Sequence, residues 1–166
     1  MSTTYEPTAP TRPAAAWVAF LRTHAAIVRE LSTRLQRDQG LTLNDFEVLL
    51  TLSTAEEGRL RRVDLAERVL LTASGITRLL DGLERAGYVC RDVCPADARV
   101  SYAKLTDAGR TKLVEASATH LEDVAELFSS RFSAVELEAL DALLGRLPKA
   151  PGACGAPACG EPACGA

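Results

Sequence analysis

The sequence is poor in the residues and motifs on which most enzymes depend. Aromatic residues make up 5% of its 166 residues, and it has two histidines, His24 and His120. It contains no phosphate-binding loop, no dinucleotide-binding glycine pattern and no His-Glu-x-x-His motif. Because acid–base catalysis usually needs several such groups gathered in a cleft, we expect no enzyme activity, no catalytic residues and no required cofactor.

The sequence also lacks a long hydrophobic run. Its longest apolar stretch is residues 14–21, whereas a membrane-spanning helix needs about 18 or more apolar residues. The apolar stripe continues past this stretch, which favours the start of an amphipathic helix over a signal peptide. We therefore expect a cytoplasmic protein with no membrane partner, in which an odd number of cysteines, five, makes no disulfide framework.

What the sequence does contain is apolar residues at helical spacing, interrupted by one β-like segment. The periodicity predicts helices that begin near residues 14, 43, 62, 72, 107 and 133. Between the fourth and fifth helices, residues 88–94 and 100–105 are typical of two short strands around a turn at residues 95–99. The predicted fold is mainly α with a small β-hairpin.

The charge distribution points to the middle of the chain as a surface for an anionic partner. The net charge of −3 by itself argues against nucleic acid, but residues 59–110 carry ten basic and seven acidic side chains. Two helices joined by a tight turn fall in this region, as in a helix-turn-helix, whose second helix presents its N-terminal half to the major groove. The predicted DNA contacts there are Thr72, Ser74, Gly75, Thr77 and Arg78.

The same residues also fit a surface helix of an all-α bundle, because small polar residues favour helix N-termini anyway. The hairpin that follows the helix separates the two interpretations. A helix-turn-helix followed by a hairpin is a winged motif, and Arg99, near the tip of that wing, would enter a minor groove.

The stretch from Leu65 to Arg110 closely resembles the DNA-binding core of MarR-type regulators. The shared features are Leu-Ala-Glu in the first helix, an S-x-x-TRL-x-D-x-LE-x-x-G recognition helix that ends at Gly87, an Asp-x-Arg wing tip and an LT-x-x-G exit into the next helix. The resemblance extends to the flanking helices, over roughly residues 14–147, and leaves out both ends of the chain.

This resemblance implies a winged helix-turn-helix repressor that binds a pseudo-palindromic, double-stranded DNA operator as a homodimer. It assigns residues 42–105 to DNA binding and the helices at 14–39 and 107–147 to dimerisation, with the whole domain spanning residues 14–147. It also implies that Asp97 braces Arg99 at the wing. Residues 1–13 are expected to be disordered, and residues 148–166 are expected to form a flexible tail.

Cysteines are unusual in such a tail and suggest how DNA binding is controlled. Two lie on the wing and three recur at a five-residue period in the tail: Cys90, Cys94, Cys154, Cys159 and Cys164. Thiolates favour thiophilic metal or metalloid ions, and oxidants convert them to disulfides. We expect such an ion, or an oxidant, to act as inducer, although the spacing is not the Cys-x-x-Cys of a zinc knuckle.

Two alternatives remain open. In the first, the same regulator responds to a small aromatic or anionic ligand of the urate or phenolic type, as the resemblance to MarR-type regulators allows, and the tail cysteines have no function. The residues for that pocket are Trp17, His24, Asp64 and Arg91. In the second, the chain is a thiol-rich metal-binding protein that does not bind DNA.

Overall fold

The computed structural model describes residues 11–69, 71–94 and 97–148, and side chains are not described at residues 93–94 and 97–100. These residues form six helices and a three-stranded sheet. In chain order the elements are α1 (Arg12–Gln39), α2 (Leu43–Ser53), a 3₁₀ turn (Glu56–Gly58), β1 (Arg59–Arg61), α3 (Arg62–Arg68), α4 (Ala73–Arg85), β2 (Val89–Cys94), β3 (Asp97–Leu105), α5 (Asp107–Ser129) and α6 (Ala134–Leu144). The predicted fold class, mainly α with a small β-hairpin, is confirmed.

Local capping explains where several of these helices begin. The hydroxyl of Thr42 accepts a hydrogen bond from the amide of Asp45, and the carboxylate of Asp45 accepts one from the amide of Thr42. α2 therefore begins with a capping box. Ser133 and Glu136 form a second capping box at the start of α6. Its amide and hydroxyl bonds lower the pKa of Glu136 below the usual range.

The core lies between α2, α3, α4 and the inner face of the sheet, with α1 and α5 closing one side. Its fully buried members are almost all aliphatic, as expected from a composition with few aromatic residues. The largest are Leu35, Val48, Leu49, Leu52, Leu65, Leu80 and Val89. By contrast, α6 buries no residue within this chain.

The sheet is antiparallel with strand order β1-β3-β2. Because β1 leads directly into α3, it attaches the hairpin to the helix-turn-helix, which consists of α3 and α4. Arg59 pairs with Lys104 and Arg61 with Tyr102, while Asp92 pairs with Tyr102 from the other side. The register between β2 and β3 shifts at Val93/Cys94, which marks a bulge or irregularity in the distal part of the hairpin.

Some boundaries differ from the sequence-based prediction. α1 begins at Arg12 rather than residue 14, because a proline is well tolerated in the first turn of a helix, here at position 13. β3 begins at Asp97 rather than residue 100, so Asp97 and Arg99 belong to the strand and not to the turn. The remaining residues for which disorder or a flexible tail was predicted, 1–10 and 149–166, lie outside the described residues. Among the described helices, none has the length and hydropathy to cross a membrane.

The first turn of α5 is fixed against the residues that follow α4. The hydroxyl of Thr106 donates to the carbonyl oxygens of Gly87 (2.7 Å) and Tyr88 (3.1 Å) and accepts from the amide of Gly109. Gly87 has a φ of 78°, a left-handed conformation that favours glycine. A Cβ atom on Gly109 would lie 2.1 Å from the Tyr88 oxygen, so only glycine permits this approach.

Replacing Gly109 by alanine should therefore destabilise the fold by about 1–3 kcal/mol, the usual cost of overpacking a close contact. Urea unfolding would measure the change in free energy. Gly82→Ala is the matched control, because a Cβ there meets nothing within 4 Å, and alanine in a helix interior should stabilise by about 0.5–1 kcal/mol. Equal effects of the two substitutions would contradict this interpretation.

Candidate nucleic-acid interface

α4 separates a buried face from an exposed polar face. Ile76, Leu80 and Leu83 are buried against the core, and Leu79 is half-buried beside it. Ser74 and Arg78, among the residues predicted to contact DNA, are exposed on the opposite side. Because one face anchors the helix, the other is free to be presented as a rigid surface.

The N-terminus of α4 uses some of the predicted contact residues for its own structure. The Thr72 hydroxyl accepts from the Gly75 amide at 3.1 Å and lies 3.3 Å from the Ser74 hydroxyl. The Thr77 hydroxyl donates to the Ala73 carbonyl at 2.9 Å. Gly75 is half-buried, and a Cβ there would lie 3.1 Å from the Thr72 oxygen. Thr72, Gly75 and Thr77 thus fix the conformation of the first turns of α4.

An ion pair that the sequence analysis did not identify fixes α4 against α3. Arg62, the first residue of α3, donates to Glu84 near the end of α4 at 2.8 Å, and the two side chains are 17% and 27% exposed. The partial burial reduces solvent screening relative to an exposed pair. No local sequence signal predicts it, because the partners are 22 residues apart.

A second set of ion pairs connects the hairpin to β1 and to the turn before it. Arg59 on β1 contacts Asp92 on β2 at 2.9 Å and Glu57 in the preceding turn at 2.5 Å. Its guanidinium carbon also lies 5.3 Å from the centre of the Tyr102 ring on β3. The backbones of Asp97 and Arg99 lie on β3, farther along the hairpin.

The structure tests little of the cysteine prediction. Cys90 is a free, exposed thiol on β2, and Cys94 is the last residue of that strand. Cys154, Cys159 and Cys164 lie outside the described residues. Within the described part of the chain, no group of three or more His, Cys, Asp or Glu residues is arranged to hold a metal ion.

The residues predicted to line a ligand pocket fall into separate places within one chain. Trp17 and His24 lie on α1 on either side of Phe20, with ring centres 6.2 Å apart at each step. The Nε and Nη2 atoms of Arg61 donate to the two carboxylate oxygens of Asp64. Arg91 is exposed on β2. No described hydrogen bond, ion pair or ring contact joins the first two residues to the last two.

Comparison with known proteins adds to this geometry. A model described as MarR family matches residues 41–101. An HTH-type transcriptional regulator of Bacillus cereus is 30% identical over 120 residues, which cover 72% of this chain and 78% of that protein. The HTH-type transcriptional repressor YetL of Bacillus subtilis is 32% identical over 66% of this chain.

The chain belongs to the MarR family. Sco3205, a MarR family transcriptional regulator from Streptomyces coelicolor whose crystal structure was determined in complex with DNA, superposes with a TM-score of 0.72. It is 26% identical, and the superposition covers 86% of this chain and 89% of Sco3205. The match to YetL spans 65% of YetL's length. Family membership groups the chain with transcriptional regulators and not with enzymes.

In this MarR-family chain, a histidine is half-buried where α1, α2 and α5 meet. The ring of His120 on α5 lies 5.0 Å from the ring of Phe46 on α2. Its Nδ1 atom and the Oδ2 atom of Asp123 are buried and have no hydrogen-bond partner among the described residues. Arg34 of α1 binds the other oxygen of Asp123 at 3.3 Å. Burial lowers the pKa of His120 below its usual value, and Asp123 opposes that shift.

Acidification should therefore destabilise the protein through His120. The folded protein resists protonation of His120, whereas the unfolded chain binds a proton near the ordinary histidine pKa of about 6.5. Since the unfolded state then holds more protons, the free energy of unfolding falls as the pH drops through that range. Urea unfolding at about pH 7.5 and pH 5.5 should show a larger loss for the wild type than for His120→Gln. Equal losses in the two proteins would contradict the assignment.

Proposed function

We propose that this chain is a transcriptional repressor that binds a pseudo-palindromic DNA operator as a homodimer and is released by an inducer. The observation that carries the proposal is the exposed polar face of α4, which is fixed from behind by its buried residues and by the Arg62–Glu84 ion pair. Sco3205, which has a similar fold, was crystallised in complex with DNA, and YetL is named as a repressor.

In this proposal the N-terminal half of α4 enters the major groove. Arg78 is exposed and makes no ion pair among the described residues, so its guanidinium is available to bind guanine or phosphate. Ser74 offers a hydroxyl beside the first amides of the helix, which attract phosphate. Thr72, Gly75 and Thr77 hold this end of the helix in shape while presenting their backbone to the DNA.

The wing supplies the second contact. β2 and β3 extend from the base of the sheet, and Arg99 is proposed to enter the minor groove with Asp97 as its brace. A narrow minor groove has an enhanced negative potential that attracts arginine. This role rests on the family resemblance and on the strand position of both residues.

The proposed dimer follows from apolar surface that a monomer leaves in water. Large apolar side chains are exposed on the N-terminal half of α1, along α6 and just after α6: Trp17 (59%), Phe20, Leu21, Val135 (74%), Leu143 (56%), Leu144 and Leu147. Exposed apolar surface of this extent on a small protein marks an interaction surface. A second copy would cover the same face on both chains, as a two-fold interface requires.

For the inducer, we propose thiol chemistry at the wing. Cys90 is free and exposed on β2, and it pairs in register with Lys104. An ion bound by the thiolates of Cys90, Cys94 and one or more of Cys154, Cys159 and Cys164 would hold the wing away from DNA. A disulfide between Cys90 or Cys94 and one tail cysteine, formed as peroxide is reduced to water, would have the same effect.

One observation favours the alternative inducer, a small aromatic acid. An apolar cavity of about 510 Å³ opens between α1, α5 and α6, and its lining includes Phe20, His24, Phe128, Phe132 and one basic residue, Arg131. Aromatic walls with one cation suit an aromatic carboxylate. Of the four residues predicted from sequence, His24 alone lines this cavity.

Arg78→Ala should weaken binding to DNA from upstream of the chain's own gene by at least about tenfold, because a base or phosphate contact of arginine is lost. Fluorescence anisotropy at several salt concentrations would measure it. Arg85→Ala is the control, because Arg85 is exposed at the other end of α4, where its Nε bonds the Asp81 carbonyl. If both variants bind like the wild type, α4 is not the recognition helix. If the wild type binds no DNA, the result would favour the alternative of a thiol-rich metal-binding protein that does not bind DNA.

Replacing all five cysteines by serine should leave DNA binding unchanged and abolish its release by arsenite, zinc or peroxide. The same titrations on a chain truncated after Pro148 assign the effect to the tail or to the wing. A cysteine-free protein that is still released by these agents would contradict thiol sensing. Release by salicylate from both proteins would support the aromatic-acid cavity instead.

A further inference from the structure

We infer that Arg59 is a positioning residue for DNA recognition: it clamps the wing at a fixed angle to the helix-turn-helix. The inference deepens the proposed function and rests on it. Arg59 is the first residue of β1, and β1 runs directly into α3 without a connecting loop. Anything that Arg59 holds is therefore held relative to the helix-turn-helix.

The Arg59 side chain reaches across the whole sheet. Residues that pair in register share a face, so Arg59 and Lys104 lie on the same face, as do Tyr102 and Asp92. From β1 the guanidinium passes over the Tyr102 ring on β3, 5.3 Å from its centre, and binds Asp92 on β2 at 2.9 Å. One side chain thus connects all three strands.

The position of this clamp along the hairpin is what gives it a role in recognition. Asp92 lies three pairs out from the base of the hairpin, where Val89 pairs with Leu105, and just before the register shifts at Val93/Cys94. Beyond that shift the ladder is irregular, and β1 no longer supports β3. Arg59 therefore holds the hairpin at the last regular part of the ladder, before the portion that carries Asp97 and Arg99.

The preceding turn supports the same arrangement. Glu57 has a φ of 53°, a left-handed conformation that a residue other than glycine rarely adopts. Its carboxylate binds the second amino group of Arg59 at 2.5 Å. The two carboxylates and the aromatic ring together fix the guanidinium, whereas an isolated exposed pair contributes little order.

Arg61 provides a matched comparison within the same strand. It lies on the same face of the sheet as Arg59 and carries the same charge, but among the described residues its guanidinium pairs only with the local carboxylate of Asp64, three residues along the chain. Loss of either arginine removes one positive charge from this region. Loss of Arg59 should free the wing, whereas loss of Arg61 should not.

The experiment compares Arg59→Gln, Asp92→Asn and Arg61→Gln in two measurements. The first is operator affinity by anisotropy, in which Arg59→Gln and Asp92→Asn should each bind about tenfold more weakly than Arg61→Gln. The second is hydrogen exchange of the wing by mass spectrometry without DNA. In the first two variants the amides of β2 and β3 should exchange faster, while those of α4 remain protected. Urea unfolding confirms that each variant is folded.

Asp92→Asn is the decisive variant, because charge alone predicts the opposite result. Removing a carboxylate near DNA should strengthen binding, and it would also free Arg59 to bind a phosphate. Tighter binding by Asp92→Asn would show that Arg59 contacts DNA directly and would overturn the clamp. Unchanged hydrogen exchange in Arg59→Gln would overturn it as well.

A second arm tests whether Arg59 acts through the wing tip. In an Arg99→Ala background, Arg59→Gln should cause little further loss of affinity, because the contact that it positions is already gone. Additive losses would contradict positioning. If the wild type and Arg61→Gln bind no DNA, the proposed function fails and the role in recognition falls with it. Faster wing exchange in Arg59→Gln would then still identify a structural clamp.

Discussion

The arrangement of the whole site depends on the contact between the first turn of α5 and the end of α4. Thr106 bonds the carbonyls of Gly87 and Tyr88, and the missing side chain of Gly109 allows the two backbones to touch. This one contact fixes where α4 stops, where the hairpin begins and where α5 leaves. The start of α5, the end of α4 and the start of the hairpin therefore meet at this contact, which links the proposed dimer helix α5 to the two elements that are proposed to contact DNA.

The positions of individual charged side chains, and not the net charge of the chain, determine the electrostatics of the site. The chain carries a net charge of −3, and three arginines near the site, Arg59, Arg61 and Arg62, are paired with carboxylates. The Arg59 and Arg62 pairs join separate elements and hold α3, α4 and the wing in fixed relation to one another. Arg78, in the N-terminal half of α4, makes no such pair among the described residues, so its guanidinium is available to DNA in the proposed complex. Affinity should accordingly fall as salt concentration rises.

Local sequence signals predicted the parts of the fold that local physics determines. The hydroxyl caps at Thr42 and Ser133, the buried stripe of α4 and the glycine after it were all visible, because each depends on neighbours within four residues. The Arg62–Glu84 and Arg59–Asp92 pairs were not, since their partners are 22 and 33 residues apart. The proposed ligand residues Asp64 and Arg91 lie on other elements than Trp17 within one chain, and spacing along the chain does not report proximity between distant elements.

A footprint of the purified, reduced protein on DNA from upstream of its own gene would show whether two chains bind one operator. We expect two protected segments related by a dyad, with centres about one helical turn, ~10 base pairs, apart or a multiple of that. Sedimentation of the complex should show two chains for each dyad. Protection of a single segment by one chain would contradict the dimer, and absence of any protection, with the folded protein in excess, would contradict DNA binding itself.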